Sequence, residues 1–221
     1  ESDAQGRWCL LDSNGHTLAD SDHLVLANAS GLQRLVVDPS WPLLHSRGQV
    51  TWLPAPDDWR PALPIAGDGY AIPLPQGQLL CGATSDLDDT TPVLREADHQ
   101  RNLVALQRLS GRPWSPDART LGGRVGWRMH ARDRLPLLGG VPLPAGARTH
   151  ATRQEQPRFI ARRPGLHVLA GLGSRGLAQA ALAGEVVAAI ITGTPLPVGS
   201  TLLDAVDAAR FAARAVRMPN Q

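Results

Sequence analysis

The chain of 221 residues contains no lysine; all 22 of its basic residues are arginines. A protein without lysine has no Schiff-base lysine, no lysine general base and no phosphate-binding lysine of the Walker type. Arginine keeps its charge at any working pH, and its planar guanidinium suits carboxylate and phosphate partners. The composition therefore excludes lysine-dependent chemistry and leaves anion recognition to arginine.

Potential metal ligands and nucleophiles are also scarce. Cys9 and Cys81 are the only cysteines and lie far apart in the sequence, so neither a zinc site nor a disulfide scaffold is expected. The seven histidines show no H-E-x-x-H or H-x-H spacing, and we expect no metal site. No Ser/His/Asp or Cys/His arrangement is visible, so hydrolysis has no candidate nucleophile.

Long hydrophobic runs are absent as well. The N-terminal segment has no apolar signal core, and Glu185 interrupts the longest apolar helix, so we expect a soluble, cytoplasmic protein without a membrane partner. The net charge is +2 and the pI is about 9.0, which is compatible with nucleic-acid binding without deciding for it. The chain begins without methionine inside a predicted hairpin, and we expect it to be a piece of a longer protein.

The pattern of apolar residues and turn signals predicts an α+β fold with mostly antiparallel strands and few helices. Asn14-Gly15 and Pro75-Gln76-Gly77 are typical of hairpin turns. Strands are predicted over residues 8–11, 16–18, 23–27, 47–53, 70–74, 78–83, 125–129, 137–141 and 166–170. Helices are predicted from Thr91-Pro92 to Leu109 with a stop at Gly111, over residues 177–191, and after a cap at Ser200 or Thr201.

The most informative segment is a glycine-rich turn between an apolar strand and an Ala-rich helix. Gly171, Gly173 and Gly176 have the G-x-G-x-x-G spacing of dinucleotide-binding turns. No second strand with an acidic residue follows the helix, so the segment is not the start of a complete Rossmann unit. A helix N-terminus carries about half a positive charge, and Ser174 and Arg175 add side-chain donors. Two interpretations of this turn stay open: it is a helix start that faces an anion or a ring, or it is an ordinary strand-to-helix turn.

Two strand residues are candidates for substrate binding. Arg128 follows Gly126-Trp127 and is either a bidentate partner for a substrate carboxylate or one half of a surface ion pair. Tyr70 follows Asp68-Gly69 and faces either a pocket or the core. Arg47, just before another predicted strand, is a third candidate.

Several short segments, taken in order along the chain, carry a family resemblance. They are Leu24–Asn28, Arg47–Val50, Asp68–Tyr70, Asp98–Leu103, Gly126–Arg128, Arg132–Pro136, Gly171–Leu177 and Asp207–Phe211. Together they resemble the D-amino-acid-oxidase-like FAD-dependent oxidoreductases, and in particular the flavin domain of the bacterial bifunctional enzymes that modify the wobble uridine of tRNA. The resemblance covers nearly the whole chain and is specific at the glycine turn.

The resemblance implies a division into three parts. Residues 1–38 would be a remnant of the FAD-binding domain, residues 39–145 a substrate-binding antiparallel sheet domain, and residues 146–221 the C-terminal part of the FAD domain. Arg128 would hold a glycine-like carboxylate, with Tyr70 and Arg175 nearby. The implied contacts of FAD and its isoalloxazine ring are Ala27, Asn28, Gly171, Gly173, Ser174, Arg175, Gly176 and Leu177.

For such a domain the resemblance implies oxidation of the carboxymethylaminomethyl group of the tRNA wobble uridine, which releases glyoxylate and leaves the aminomethyl base. It also implies a fused methyltransferase domain upstream that uses S-adenosylmethionine. That domain and the family's N-terminal FAD-binding fingerprint, the dinucleotide-binding unit, are absent from this sequence. We therefore expect this piece alone to bind FAD weakly or not at all and to be inactive.

Two other functions stay open at this level. A related flavoenzyme that acts on a free amino acid would share the same segments, and a non-catalytic domain would keep the same fold. A tRNA-binding protein is expected to collect arginines on one face, and its affinity falls steeply with salt. The arginines expected on that face are Arg153, Arg158, Arg162 and Arg163.

Overall fold

The structure, a computed structural model, describes residues 2–3, 6–36, 41–148 and 153–217. The described residues form strands and α-helices joined by turns and short 3₁₀ segments. In chain order these elements are β1 (Trp8–Leu11), β2 (Thr17–Ser21), β3 (Leu24–Leu26), α1 (Leu32–Leu35), β4 (Leu43–Pro54), β5 (Ile65–Ala66), β6 (Tyr70–Leu74), β7 (Gln78–Gly82), β8 (Asp86–Leu87), α2 (Glu96–Ser110), β9 (Gly122–Ala131), β10 (Leu137–Pro142), β11 (Arg162–Ala170), α3 (Gly176–Thr192), α4 (Ser200–Val206) and α5 (Arg210–Arg217).

The chain divides into two compact units. The first unit comprises residues 1–44 and 129–221, and the second comprises residues 45–128. From the sequence we expected divisions at 38/39 and 145/146, so the boundaries differ. Strand β10, expected in the sheet domain, lies in the first unit because it pairs along its length with β11.

The first unit contains a three-stranded sheet with the order β10-β11-β3 and a separate β1–β2 hairpin. Strands β10 and β11 are antiparallel, with Leu137 opposite Ala170, whereas β11 and β3 are parallel, with Val168 opposite Leu26. Leu26, Leu137 and Val168 belong to one buried apolar cluster. A second cluster joins Leu138 of β10 to the inner side of α3. Helix α3 therefore packs against this sheet.

The second unit contains a sheet with the order β5-β6-β7-β4-β8, antiparallel along this path, and β9 pairs with β4. Helix α2 packs on one face of the sheet. The buried apolar residues between them are Leu53, Ala71, Leu79, Cys81, Leu103 and Leu106. Because side chains alternate along a strand, the face that contains Thr51 and Leu53 meets α2, and Gly48, Val50 and Trp52 lie on the opposite face.

Most of the regular elements agree with the sequence predictions. The mixed helix and sheet content confirms the α+β class, and both predicted hairpins form around Asn14-Gly15 and Pro75-Gln76-Gly77. Gly111 ends α2 with a left-handed φ of 69°, as the stop signal predicted. Helix α5 was not predicted.

Two predicted helix starts are wrong by a few residues. Helix α2 begins at Glu96, not at Thr91, because the carbonyls of Thr91 and Val93 accept hydrogen bonds from the Arg47 side chain. Those carbonyls are therefore not available to a first helical turn. Helix α4 begins at Ser200 itself, so its N-cap is Gly199.

Helix α3 is apolar on more than one side. With the preceding turn it forms a helical segment, Gly173–Thr192, that is long and apolar enough by length and composition to cross a membrane, despite Glu185. Core helices of soluble proteins can have the same length and composition, so one such helix is only weak evidence for a membrane span. Leu177 and Leu182 are exposed, whereas Val186 is buried.

Candidate functional site

The glycine turn follows directly after β11. Gly171, with φ of 70°, and Gly173, with φ of 56°, adopt the left-handed backbone conformation that favours glycine. A 3₁₀ turn over Gly173–Arg175 then leads into α3, whose N-cap residue makes no side-chain capping bond. The first amides of α3 therefore keep their capacity to donate hydrogen bonds to another group.

Gly176 does not play the role that its place in the motif suggested. A glycine at this place of the motif permits unusual dihedrals, but Gly176 is the first residue of α3 and has a helical φ of −53°. A Cβ at this position would be 3.8 Å from the nearest atom, in the side chain of Leu172, which is ordinary contact. Only Gly171 and Gly173, the first two glycines of the motif, have a left-handed backbone conformation that favours glycine.

Ala27 and Asn28 lie at the same edge of the sheet as the glycine turn. They follow β3 directly, and β3 runs parallel to β11 with Leu26 opposite Val168. The carboxyl ends of the two strands therefore meet at one edge, where open sheets with parallel strands bind ligands. Both residues are exposed. The structure thus brings together the cofactor residues that were predicted within the first unit.

A small pocket of about 80 Å³ opens beside the glycine turn. It is lined by His130, Arg134, Leu172, Gly173, Ser174 and Arg175. His130 forms an isolated antiparallel bridge with Leu172, which holds the end of β9 against the turn. Among the described residues, neither the Arg134 nor the Arg175 guanidinium has a hydrogen-bond or ion-pair partner.

His130 and Arg134 were not predicted as site residues. The only sequence signal was the Arg-Asp-x-Leu-Pro motif of residues 132–136, which carried the resemblance without assigning a role. The pairing of His130 with a residue forty positions away is a property of the tertiary structure.

The charged turn after β9 is fixed by Arg210 of α5. Arg210 is buried and donates from Nε and Nη2 to the two carboxylate oxygens of Asp133, each at 2.9 Å. Its Nη2 also donates to the carbonyl of Leu135, and its Nη1 donates to the carbonyl of Pro136. Burial alone raises the pKa of Asp133, but the hydrogen bonds and charge of Arg210 and a bond from Arg214 outweigh it and lower the pKa to about 2. The C-terminal Asp-Ala-Ala-Arg-Phe segment therefore holds the turn in place.

Arg47 is a structural residue. Its guanidinium is fully buried and donates to Asp98 at 2.6 Å, to Gln49, and to the carbonyls of Thr91 and Val93. Four hydrogen bonds use nearly all of the five donors of a guanidinium. Arg47 therefore ties β4 to the start of α2 and is not available to a substrate.

Arg128 is in the opposite situation. It lies half-buried near the end of β9, and no hydrogen-bond or ion-pair partner is found for its guanidinium among the residues that the structure describes. Nη1 of Arg128 lies 2.5 Å from the place where a Cβ of Gly48 would be. The absent side chain of Gly48 therefore gives the guanidinium its space on the face of the sheet opposite α2.

Tyr70 lies on that same face. Tyr70 of β6 and Val50 of β4 are both in register with Gly82 of β7, so their side chains point to the side that Gly48 also faces. Tyr70 is half-buried. We call this face, formed by Gly48, Val50, Trp52, Tyr70, Leu80 and Arg128, the outer sheet face. The two predicted substrate residues thus share one surface of the second unit, and the glycine turn belongs to the first unit.

The arginines expected to form a tRNA-binding face are largely engaged within the protein. Arg158 forms an ion pair with Asp204, and Arg162 forms one with Asp207. Arg153 lies over the ring of Phe159, 4.3 Å from its centroid. Arg158 and Arg162 therefore already have carboxylate partners within the protein.

Comparison with known proteins identifies the family. A family model described as FAD dependent oxidoreductase (DAO) matches residues 1–190. The chain belongs to this family. The match includes the strands and the glycine turn described above.

The curated relatives of this FAD dependent oxidoreductase chain are much longer than the chain itself. It is 45% identical over 225 residues to the tRNA 5-methylaminomethyl-2-thiouridine biosynthesis bifunctional protein MnmC of Methylibium petroleiphilum, and 42% identical over 221 residues to that of Burkholderia thailandensis. These alignments cover 94% and 98% of the chain. The chain spans 34% of the length of each relative.

Solved structures show the same fold. Glycine oxidase from Geobacillus kaustophilus matches with a TM-score of 0.65 and 22% identity over 90% of this chain and 47% of its own. Iminodiacetate oxidase from Chelativorans sp. BNC1 matches with a TM-score of 0.64 and 20% identity over 91% of this chain and 50% of its own.

The residues at the glycine turn fit the FAD that the family implies. Two glycines with left-handed φ, an uncapped helix start, and the side chains of Ser174 and Arg175 offer donors at one corner. Such donors suit the carbonyl oxygens and the developing negative charge of a reduced flavin ring. Leu177 is fully exposed beside them.

Proposed function

We propose that this chain is part of an FAD-dependent oxidoreductase that removes the carboxymethyl group from carboxymethylaminomethyl-uridine at the wobble position of tRNA. The observation that carries the proposal is the Arg128 guanidinium on the outer sheet face, for which the described residues offer no hydrogen-bond or ion-pair partner. The identity of 45% to a protein named for tRNA 5-methylaminomethyl-2-thiouridine biosynthesis supports it. The reaction needs a cation for the carboxylate that is lost, and Arg128 supplies one.

We assign the isoalloxazine-binding role to the glycine turn. FAD, when bound, supplies the two-electron acceptor for the oxidation. Ala27 and Asn28 would contact it at the sheet edge, and the segment from Gly171 through Gly173, Ser174, Arg175 and Gly176 to Leu177 would donate to its ring. The amide dipoles of α3 would stabilise negative charge there by about 0.3–1 kcal/mol, and Arg175 would add a full charge.

Arg128 and Tyr70 orient the substrate. A bidentate guanidinium–carboxylate pair contributes about 1.5–3 kcal/mol and fixes the direction of the glycine-like group. The substrate loses a hydride and a proton from its N–CH₂ group, and water then cleaves the resulting C=N bond into glyoxylate and the primary amine. Oxidation of a neutral amine depends on orientation more than on an enzyme base, in keeping with the absence of a catalytic triad in the sequence.

The remaining expectations concern the rest of the protein. We propose that a fused methyltransferase domain, using S-adenosylmethionine, acts on the amine product, and that the protein works in the cytoplasm. We also propose that the 221-residue chain alone binds FAD weakly or not at all. A stoichiometric flavin absorption spectrum from the purified chain would contradict this last point.

The test uses the full-length protein loaded with FAD under anaerobic conditions. Carboxymethylaminomethyl-uridine in tRNA should bleach the flavin and yield glyoxylate, whereas free glycine and proline should not. Arg128→Gln should lower kcat/KM for tRNA about 10- to 100-fold, in line with the loss of a charge-assisted pair.

Arg119→Gln is the control, because Arg119 is exposed and pairs with Asp117. Turnover of free glycine instead of tRNA would favour an amino-acid oxidase, and no reduction by any amine would indicate a non-catalytic domain.

A further inference from the structure

The arginines of the second unit fall into two groups. One group binds aspartate carboxylates and consists of Arg47, Arg95, Arg101, Arg108, Arg112 and Arg119. In the described part of this unit, the guanidinium groups of Arg60, Arg124 and Arg128 have neither an ion pair nor a hydrogen bond. Two of these three lie on the same strand, β9, four residues apart.

Arg124 and Arg128 lie on the same side of β9. A Cβ at Gly123 would meet the ring of His99 on α2, and Trp127 donates its indole N–H to the carbonyl of Asp89, just before α2. Gly123 therefore faces α2, whereas a Cβ at Gly122 would meet the Trp52 ring on the outer sheet face. By alternation the even-numbered residues, Arg124 and Arg128, lie on the outer sheet face.

The surface between the two arginines is open. Gly126 lies midway between them on the same face, and a Cβ added there would meet no atom within 4 Å. Four residues of extended strand separate the two Cα atoms by about 13 Å. A strand with a cation at each end and a bare glycine between them leaves space for a flat, uncharged group.

The proposed substrate offers two anions to these two cations. It has a carboxylate at the end of a flexible base substituent, an uncharged uracil ring, and a backbone phosphate beyond the ribose. A free amino acid has the carboxylate but no second anion. Arginine is well suited to phosphate because its guanidinium forms two parallel hydrogen bonds with it.

We propose that Arg124 binds a backbone phosphate of the RNA next to the modified uridine, while Arg128 binds the carboxylate. This assignment rests on the proposed function. Arg124 is then the residue of the outer sheet face that distinguishes a polynucleotide from a free amino acid. Of the arginines at positions 153, 158, 162 and 163, Arg158 and Arg162 are paired with carboxylates and Arg153 lies over an aromatic ring.

The experiment compares Arg124→Gln, Arg124→Lys and the control Arg119→Gln in the full-length holoenzyme. The substrates are tRNA carrying carboxymethylaminomethyl-uridine and the corresponding free nucleoside, each assayed by flavin reduction at several salt concentrations. Arg124→Gln should raise KM for tRNA about fivefold to tenfold, with the change falling on KM rather than kcat. It should also reduce the slope of log KM against log salt by about 0.7, as expected for the loss of one single-strand phosphate contact.

The nucleoside separates a phosphate contact from a structural role. Its KM should rise far less than that of tRNA in Arg124→Gln, and Arg124→Lys should restore the salt slope because the charge is retained. Equal effects on tRNA and nucleoside, or an unchanged salt slope while wild type oxidises tRNA, would overturn the role of Arg124 alone. A wild-type protein that neither binds nor oxidises tRNA would overturn both this assignment and the proposed function.

Discussion

The guanidinium of Arg128 occupies the space that a side chain at residue 48 would fill. Nη1 of Arg128 lies 2.5 Å from an ideal Cβ on Gly48, and the carbonyl oxygen of Thr84 lies 3.0 Å from it. A side chain at residue 48 would therefore force the Arg128 guanidinium to move, although the backbone of Gly48 is not left-handed.

Gly48→Ala should displace Arg128 without removing its charge. We expect KM for the carboxylate substrate to rise about tenfold, because a charge-assisted pair loses about 1.4 kcal/mol or more when its geometry is lost. Steady-state kinetics of the full-length protein measure this. Gly146→Ala is the matched control, because a Cβ there meets nothing within 4 Å. Unchanged kinetics in both Gly48→Ala and Arg128→Gln would show that Arg128 does not bind the substrate.

Asp98→Ala should destabilise the second unit. Asp98 and Arg47 are both buried and form an ion pair at 2.6 Å, so removal of the carboxylate leaves an unpaired charge in the core. Breaking such a pair costs about 3–5 kcal/mol. Urea unfolding should show this loss, whereas Asp117→Ala, which breaks the exposed pair with Arg119, should change stability by less than about 1 kcal/mol. Similar effects of the two substitutions would contradict the structural role of Arg47.

Because of Asp133, the free energy of unfolding should decrease as the pH becomes acidic. Its pKa of about 2 in the folded protein lies below the value of about 3.9 for an unfolded aspartate. The stabilising contribution is therefore complete above about pH 4 and is lost as the pH falls toward 2. Asp133→Asn should flatten the decline in urea stability between pH 5 and pH 2.5. An equally steep decline in Asp133→Asn would rule out this linkage.

Two glycines of the turn should respond to alanine with opposite signs. Gly171→Ala forces a φ of 70° on a residue with a Cβ and should cost about 1–2 kcal/mol, although the added atom meets only ordinary contacts. Gly176→Ala lies at a helical φ and should stabilise the protein by about 0.5–1 kcal/mol. Thermal unfolding of the flavin-free protein measures both. Loss of stability in both variants would mean that Gly176 is not helical.

The two cysteines should differ in reactivity. Burial raises the pKa of the Cys81 thiol to about 12, so the reactive thiolate is almost absent at pH 8. Iodoacetamide should label the half-buried Cys9 in the native protein and Cys81 only after denaturation, as peptide mapping by mass spectrometry would show. Native labelling of Cys81 at a rate similar to that of Cys9 would contradict its burial.

Local patterns in the sequence were enough to predict the two hairpins, the end of α2 at Gly111 and the glycine turn before α3. Each depends on the dihedral preferences of a few adjacent residues, and such preferences act wherever the segment lies. The start of α2 was not predictable in this way, because the carbonyls of Thr91 and Val93 are used by Arg47, more than forty residues earlier.

The sequence by itself determined that anion recognition would depend on arginine and placed the candidate turn at residues 171–177. Only the tertiary structure decided which arginines are available to bind an anion. Arg47 and Arg128 both lie on strands within two residues of a glycine, yet Arg47 meets Asp98 in the core and Arg128 meets no carboxylate among the described residues. The reason is physical: whether a charge is paired depends on which distant side chains the packed sheets and helices bring within hydrogen-bond distance, and no local preference encodes that distance.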